Sequence, residues 1–330
     1  LAVPAVHAAA GGRLFRHGLF LKDGGALERL ASVDTVVFDK TGTLTTGAPR
    51  LADGPSEDDP AWPVAAALAR ASRHPLAKAL AAAAEARGVA PAEVSDLREH
   101  PGLGVEGLLG TTRVRLGSAA WTGAGTGRGT SVFLLIGNGT PIAFSFDEAL
   151  REDAPEVCSA LRDEGLRVVL LSGDEVMPVA RVSVATGMDS HRAKLTPRDK
   201  VSELETLSRQ GERVAMVGDG INDAPALAAA QVSLSPVSAA DVSRAAADLV
   251  FTGERLGPVG FAIRIARTAR SRAMQNFALA ALYNAIAIPL ALFGFVTPLV
   301  AALAMSGSSI VVTLNAVRRW PAPGPTGDPS

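Results

Sequence analysis

The chain has 330 residues and a formal net charge of −1, from 32 basic and 33 acidic side chains. That length accommodates two or more domains, and the charge balance provides no global positive field that would favour a nucleic-acid partner. The single cysteine, Cys158, excludes a disulfide framework and a CxxC metal clip within these residues.

The first segment, LAVPAVHAAAGGRLFR (residues 1–16), has the composition of the end of an apolar helix. It lacks the basic start, apolar core and cleavage site of a signal peptide. We therefore expect the sequence to be the C-terminal part of a longer chain.

Three short apolar segments, residues 35–38, 167–174 and 213–220, are typical of buried parallel strands, and each is followed by an acidic loop. Between the last two strands lie segments with the residue spacing of helices, each ending in a glycine. Ligands of such sheets bind beyond the carboxyl ends of the strands, so we expect Asp39, Asp174 and Asp219 to lie at one edge. The fold class predicted is α/β with a parallel, Rossmann-like sheet.

Residues 51–143 differ from their surroundings in composition. An alanine-rich helical region is followed by strands punctuated with glycine. This pattern predicts a smaller α+β domain inserted into the sheet domain. The sheet domain itself would comprise residues 17–50 and 144–263.

Two uncharged apolar runs near the C-terminus, residues 273–295 and 297–317, are candidate transmembrane helices. A helix of about 22 residues spans about 33 Å, enough to cross a hydrocarbon core of about 30 Å. The alternative is a pair of buried helices in a soluble core. Arginines at 264–272 and 318–319 place both outer ends in the cytoplasm, and the Pro/Gly-rich residues 318–330 are expected to be disordered.

The segment DKTGTLT (residues 39–45) follows the first strand, and GDGIND (residues 218–223) follows the third. A carboxylate such as Asp39 can attack phosphorus to give an acyl phosphate, a reaction that needs Mg²⁺, a cation and hydrogen-bond donors around the phosphoryl oxygens. Asp219 and Asp223 are suited to bind Mg²⁺, and Lys200 can pair with the phosphoryl group. Further donors in these segments are Thr41, Ser172 and Asn222.

DKTGTLT, SGD (residues 172–174) and GDGIND resemble the phosphorylation-domain motifs of P-type ATPases, which have a haloacid-dehalogenase-like fold. The resemblance implies that Asp39 is the phosphorylated nucleophile and that Asp39, the Thr41 carbonyl, Asp219 and Asp223 hold Mg²⁺. The other catalytic residues it implies are Lys40, Thr41, Ser172, Gly173, Asp174, Lys200 and Asn222.

Related soluble phosphatases place a second aspartate two residues after the nucleophile, where this chain has Thr41. A threonine cannot act as a general acid or base at neutral pH, so we expect the phosphoenzyme to persist, as a pump requires. A membrane-tethered phosphatase of the same fold is the first alternative, and a nucleotide-binding fragment without enzymatic activity is the second.

The inserted domain has no GxxxxGK[ST] loop, so a P-loop is excluded. SRHPLAKAL (residues 72–80) resembles the Ser-x-His-Pro signature of heavy-metal P-type ATPases, although an isolated His-Pro usually only starts a helix. The resemblance implies that ATP contacts Ser72, His74 and Pro75, and that two glycines approach the nucleotide closely, Gly102 and Gly104. The family often has a glutamate where this chain has Ala69.

Tyr283 and Asn284 in the first apolar run, and Met305 and Ser309 in the second, resemble the motifs of the copper(I) subgroup. A thioether is a soft ligand suited to Cu(I), and zinc or another divalent ion is the alternative. QVSLSPVSAADV (residues 231–242) resembles the copper exporters linked to cytochrome oxidase assembly.

The family resemblance also implies the setting in which this chain works. Residues 1–16 would end the ion-gating transmembrane helix, just after a Cys-Pro-Cys motif. The expected location is the bacterial inner membrane, with the catalytic domains in the cytoplasm. The expected partners are ATP, the transported ion, the bilayer and a cytosolic metallochaperone.

Overall fold

The computed structural model describes residues 2–125, 130–219, 221–239, 241–295 and 297–323. The chain divides into two compact units, and residues 45–149 form the second of them. The inserted domain is therefore six residues longer at each end than the predicted range 51–143. The reason is that the strands at both ends, Thr45–Asp53 and Ile142–Leu150, belong to its own sheet.

The secondary structure alternates between strands and helices along much of the chain. The strands are β1 (Leu19–Leu21), β2 (Thr35–Asp39), β3 (Thr45–Asp53), β4 (Ser95–His100), β5 (Gly104–Leu109), β6 (Thr112–Gly117), β7 (Thr130–Ile136), β8 (Ile142–Leu150), β9 (Arg167–Leu171), β10 (Ser190–Arg192), β11 (Val214–Val217), β12 (Val232–Pro236) and β13 (Leu249–Phe251). The helices are α1 (Ala2–Arg16), α2 (Ala26–Ala31), α3 (Ala61–Arg70), α4 (Pro75–Ala86), α5 (Ala119–Thr122), α6 (Ala154–Asp163), α7 (Val176–Thr186), α8 (Pro197–Arg209), α9 (Ala224–Ala229), α10 (Asp241–Ala246), α11 (Gly257–Leu292) and α12 (Pro298–Val317).

The sheet of the first unit has the strand order β1-β13-β12-β11-β2-β9-β10. All neighbouring strands are parallel except the edge pair β1 and β13. The three predicted strands are adjacent: Val217 pairs with Phe38, and Asp39 pairs with Leu171. The chain leaves β2 for the second unit and later builds outward on both sides of it, so the carboxyl end of β2 lies at the switch point where such sheets bind ligands.

Alternation along these strands explains why they are apolar throughout. Successive side chains of a strand point to opposite faces. Val36 and Phe38 therefore pack in the core on one face of the sheet, while Val37 packs with Val169 and Met216 in the core on the other. Helices cover both faces, as a buried parallel sheet requires.

The second unit has its own core beneath a sheet with the strand order β3-β8-β7-β6-β5-β4. The neighbours from β8 to β4 pair in antiparallel fashion. Trp62 on α3 packs edge-on against Phe144 at a ring distance of 5.2 Å. This edge-to-face geometry is favourable for aromatic pairs, and it fixes α3 on the sheet.

Helix α11 is 36 residues long and runs from the core of the first unit into an exposed apolar stretch. Its first turns are buried in the core of the first unit, at residues such as Val259, Phe261 and Ile265. The sheet domain was predicted to end at residue 263 and the first apolar run to begin at residue 273. In the structure one continuous helix belongs to both. That helix ends at Leu292, three residues before the predicted limit.

α11 and α12 are both long and apolar enough to cross a membrane. Only 6% and 11% of their apolar stretches are buried. A core helix of a soluble protein would be largely buried, so the burial favours the membrane interpretation over the soluble alternative.

Residues 318–330 were predicted to be a disordered tail, but the first three of them make defined contacts. Arg272 donates hydrogen bonds to the carbonyls of Arg318 and Arg319, and its guanidinium lies over the ring of Trp320. These contacts give residues 318–320 a defined position. Residues 324–330 lie outside the described part of the chain.

Candidate active site

Three carboxylates meet at the carboxyl ends of the central strands. Asp39 is the last residue of β2, Asp219 lies two residues after β11, and Asp223 precedes α9. Ligand oxygens of the three lie within 4.8 Å of one another. Asp39 and Asp223 are buried, while Asp219 is half-buried.

Lys200 lies between two of these acids because of how α8 begins. Thr196 and Asp199 form reciprocal hydrogen bonds, a capping box, and Pro197 occupies the first helical position. Lys200 thus falls in the first turn. Its Nζ donates to Asp39 Oδ1 at 2.5 Å and to Asp223 Oδ1 at 2.6 Å.

The charges of this cluster suit a divalent cation. When all three acids are ionised, the three carboxylates and the one ammonium group leave two negative charges to be neutralised. Mg²⁺ prefers carboxylate and carbonyl oxygens and retains waters, so this all-oxygen set with one half-exposed member fits it. Asp39, Asp219 and Asp223 are the side chains that would hold the ion.

Burial is the largest influence on the pKa of Asp39. Burial raises the pKa of Asp39 to about 7; Lys200 opposes this, whereas Asp223 and Asp219 add to it. Burial also acts to lower the pKa of Lys200, but Asp39 and Asp223 outweigh it, so that pKa is raised. Lys200 therefore stays cationic at neutral pH, while Asp39 would release its proton to solvent when a cation binds beside it.

The loop after Asp39, residues 40–44, packs closely against the acids of the site. Lys40 is buried, and its Nζ lies 2.6 Å from Asp174 Oδ2. Thr41 is exposed with an extended backbone, and Gly42 has φ +68. A Cβ at Gly42 would overlap the carboxylate of Asp219. The glycine is therefore required both by its backbone conformation and by the close approach of the Asp219 carboxylate.

The SGD segment continues β9 beside Asp39. Ser172 is buried, and its Oγ accepts a hydrogen bond from Asp174 N at 3.2 Å. A Cβ on Gly173 would lie 3.2 Å from the carbonyl oxygen of Leu195. Asn222 is exposed in the single turn Ile221–Asp223. The structure thus brings together Asp39, Lys200 and the acids, with Lys40 and Asp174 paired beside them.

Sequence reasoning missed Arg151, which holds the loop that carries the site. Its Nε donates to the Thr43 carbonyl at 2.7 Å and one Nη to the Gly42 carbonyl at 2.8 Å. The other Nη bonds the Glu254 carbonyl, just before α11. Asp153, two residues on, accepts from the amides of Leu256 and Gly257 at the start of that helix. This short segment therefore contacts both the loop of residues 40–44 and the start of α11.

The Ser-x-His-Pro residues of the second unit start α4. His74 is exposed, and its Nδ1 accepts from Leu76 N at 3.3 Å, so the imidazole caps the helix while Pro75 occupies its first turn. Ser72 donates to Glu99 at 2.5 Å. Glu99 was not anticipated from the sequence. It places a carboxylate beside the signature, whereas Ala69 is buried in α3.

The two glycines predicted to contact the nucleotide differ in environment. Gly104 has φ +148, and a Cβ there would overlap the backbone of Leu116 and Gly117. Gly102 has φ +76 with open space around it. Packing between β5 and β6 is enough to explain Gly104, so its contact with a nucleotide stays a prediction.

The predicted ligands of the transported ion lie on α11 and α12. Asn284 is exposed, and Met305 is 68% exposed. Tyr283 and Ser309 are half-buried. Met305 and Ser309 are four residues apart and share a helix face. Their joint role as ligands stays a prediction.

Comparison with known proteins identifies the class to which this architecture belongs. The family model described as haloacid dehalogenase-like hydrolase matches residues 33–231. The chain belongs to the haloacid dehalogenase-like hydrolase family, and the predicted fold class is confirmed.

Its relatives are more specific. The nitrogen fixation protein FixI of Rhizobium leguminosarum is 48% identical over 326 residues, and a copper-exporting P-type ATPase of Mycobacterium tuberculosis is 38% identical over 339. Each match covers 96% of this chain. A crystal structure of a zinc-transporting PIB-type ATPase in its E2.Pi state superposes with a TM-score of 0.83 at 31% identity, over 96% of this chain and 55% of that one. The resemblance to heavy-metal P-type ATPases is thereby confirmed. The chain spans 42% and 44% of the length of these two curated relatives.

Proposed function

We propose that this chain supplies the phosphorylation site, the nucleotide site and part of the ion path of an ATP-driven Cu(I) exporter. The observation that carries the proposal is the cluster at the ends of β2 and β11, where Asp39, Asp219 and Asp223 meet and Lys200 pairs with Asp39 and Asp223. An apolar strand that ends in a buried carboxylate beside two further acids is costly for stability. A phosphoryl-transfer site gives that arrangement a function.

In the proposed reaction, an oxygen of Asp39 attacks the γ-phosphorus of ATP. The bond from phosphorus to the bridging oxygen breaks, ADP leaves, and an aspartyl phosphate forms. Lys200 offsets negative charge at the reacting oxygens. Bound Mg²⁺ would neutralise phosphate charge while held by Asp39, Asp219, Asp223 and the Thr41 carbonyl.

The buried setting of Asp39 also supports an intermediate that persists. Thr41 has no carboxylate to activate water, so hydrolysis needs a group from elsewhere. Arg151 fixes the carbonyls of the same loop. A slow intermediate gives a distant ion site time to respond.

ATP is the proposed phosphoryl donor, and the second unit is its proposed binding domain. The exposed His74, beside Ser72 and Pro75, is available to contact adenine, and Gly102 presents bare backbone at an exposed turn. Glu99 adds an acceptor next to Ser72 for an amino group of the base.

Cu(I) is proposed as the ion because α12 carries a thioether and the apolar parts of both helices lack charged residues. The name of the M. tuberculosis relative agrees with copper, whereas the superposed PIB-type structure is that of a zinc transporter, so zinc is the second candidate. The proposed location is the bacterial inner membrane, with a cytosolic metallochaperone as the donor of the ion.

The test is labelling of the chain with γ-³²P-ATP and Mg²⁺, followed by acid quench. We expect acid-stable, alkali-labile label on the wild type and on the control Asp58→Asn, an exposed acid of the second unit. Asp39→Asn removes the nucleophile but keeps the shape of the side chain. Equal labelling of Asp39→Asn and wild type would overturn the assignment.

A second variant separates the pump from the phosphatase alternative. Thr41→Asp restores the acid–base group of soluble phosphatases, so we expect its phosphoenzyme to turn over faster than that of the wild type. Rapid turnover of a small phosphate ester by the wild type would instead favour the phosphatase. In the complete transporter, stimulation of turnover by Zn(II) and not by Cu(I) would overturn the choice of copper.

A further inference from the structure

A cavity of about 560 Å³ lies where α11 enters its apolar span and α12 leaves its own. Arg267, Ser271 and Arg272 line it from α11, and Arg318 and Arg319 line it from the segment after α12. The sequence around it has an extreme charge bias, because residues 255–327 contain seven arginines and no acidic residue. The cavity therefore presents a concentrated positive field.

Among the described residues, three of the four arginines that line this cavity form no ion pair, and Arg267 is the exception. Within the described part of the chain, the exposed side chains of Arg318 and Arg319 have no hydrogen-bond or ion-pair partner. Arg267 pairs with Glu164, which it shares with Arg264. Two unpaired guanidinium groups thus face a site whose remaining charge is also positive.

Arg272 gives the cavity a fixed wall. It is 3% exposed, and its Nη atoms donate to the carbonyls of Ala316, Arg318 and Arg319 at 3.1, 3.1 and 2.5 Å. Its guanidinium lies 4.1 Å from the ring centre of Trp320. Its buried Nε has no hydrogen-bond partner among the described residues. An ordered guanidinium flanked by two unpaired arginines has the chemistry of a phosphate site.

The position of the cavity at the ends of the apolar spans indicates where a bound phosphate group would come from. The cavity arginines directly precede the first span and directly follow the second, so they lie at the level of the cytoplasmic headgroups. Trp320 has the position typical of a membrane-interface aromatic residue. Below it, Leu314 and Val317 are exposed apolar side chains along which acyl chains can lie.

We propose that this cavity binds the phosphodiester of an anionic phospholipid from the cytoplasmic leaflet. Basic pockets between membrane helices on the cytoplasmic side are suited to such headgroups. The proposal rests on the membrane placement of α11 and α12 given under the proposed function. It adds a lipid site that is separate from the phosphorylation site and the ion path.

The experiment is a lipid titration followed by native mass spectrometry of the chain in neutral detergent micelles. Phosphatidylglycerol is the probe, and zwitterionic phosphatidylcholine is the comparison lipid. We expect saturable binding of phosphatidylglycerol, and we expect Arg318→Gln with Arg319→Gln to weaken it at least about tenfold. The pair preserves the carbonyls that Arg272 uses, so the wall of the cavity is retained.

The matched control is Arg255→Gln with Arg270→Gln, which removes the same charge from exposed arginines that do not line the cavity. The control should bind phosphatidylglycerol as the wild type does. Equal losses in both double variants, or equal binding of the two lipids by the wild type, would overturn the proposal. Displacement of the lipid by equimolar glycerophosphate would make the cavity a small-anion site and also overturn it.

Labelling of the same preparations with γ-³²P-ATP keeps the two proposals distinguishable. If lipid binding is lost and phosphorylation is complete, the result bears on the cavity proposal alone. Loss of phosphorylation with intact lipid binding concerns Asp39 alone.

Discussion

The acidic cluster at the ends of the strands and the candidate ion ligands on α11 and α12 were both predicted from sequence motifs, yet the two groups of residues differ in burial and in contacts. At the ends of the strands, Asp39, Lys200 and Asp223 are buried and joined by hydrogen bonds of 2.5 and 2.6 Å. On the membrane helices, Met305 is 68% exposed. One region is an assembled site, and the other presents separate candidate ligands.

The difference shows what completes a site. The partners of Asp39 that the structure describes belong to this chain, so its own folding brings them together. A transported ion is bound by several helices that pack side by side, and this chain provides two long apolar ones in its described part. Substitutions of buried, mutually dependent residues should therefore have larger effects than substitutions of exposed ones.

The largest effect is expected for Lys200→Met. Removing the ammonium leaves Asp39 and Asp223 buried together without their shared partner, which should cost about 3 to 5 kcal/mol of unfolding free energy. Urea unfolding without Mg²⁺ at neutral pH measures it. Lys194→Met is the control, because its ion pair with Glu175 is exposed and should contribute less than about 1 kcal/mol. Similar losses in the two variants would show that the buried cluster is not special.

The pH dependence of stability should come next in size. The folded pKa of Asp39 is raised from 3.8 to about 7, so its contribution is complete below pH 4 and is lost as the pH rises through about 7. The loss is at most about 4 kcal/mol. Unfolding in EDTA should therefore show a steeper fall in stability for wild type than for Asp39→Asn. Parallel curves for the two would contradict the raised pKa.

Gly42→Ala tests how tightly the loop of residues 40–44 approaches Asp219. The new Cβ overlaps that carboxylate at a backbone with φ +68, so we expect a loss of about 3 kcal/mol and no phosphoenzyme. Gly47→Ala is matched in φ, at +70, but nothing lies within 4 Å of its Cβ. It should cost about 1 kcal/mol and keep the label. Normal labelling of Gly42→Ala would refute the close approach.

Much of this site was predictable, because its residues leave a local pattern. Asp39 and Asp219 follow apolar strands, and Lys200 follows a Thr-Pro helix start. Arg151 was not predictable, since it acts on backbone carbonyls more than 100 residues away and no side-chain pattern records that. The continuity of α11 was missed because the arginines at 264–272 were interpreted only as a membrane flank.

Arg151→Met should have a smaller effect than the loop variant. It leaves the carbonyls of Gly42, Thr43 and Glu254 without their donor and should cost about 2 kcal/mol. We expect slower phosphorylation with unchanged ATP affinity, measured by quenched flow and calorimetry. Arg255→Met, an exposed neighbour of Glu254, controls for the lost charge. Equal rates in the two variants would remove Arg151 as a positioning residue.

The smallest effect is expected for Met305→Leu. The side chain is 68% exposed on α12, and leucine has a similar volume, so stability should change by less than about 0.5 kcal/mol and phosphorylation of this chain should be unaffected. In the complete transporter, the same change removes a thioether ligand and should lower the response to Cu(I) while ATP binding persists. Leu303→Met, which adds a thioether at another exposed position of α12, should not restore the response in the double variant if geometry matters. A normal Cu(I) response in Met305→Leu would exclude this residue from the ion path, and the two regions would then differ because only the first contains a site.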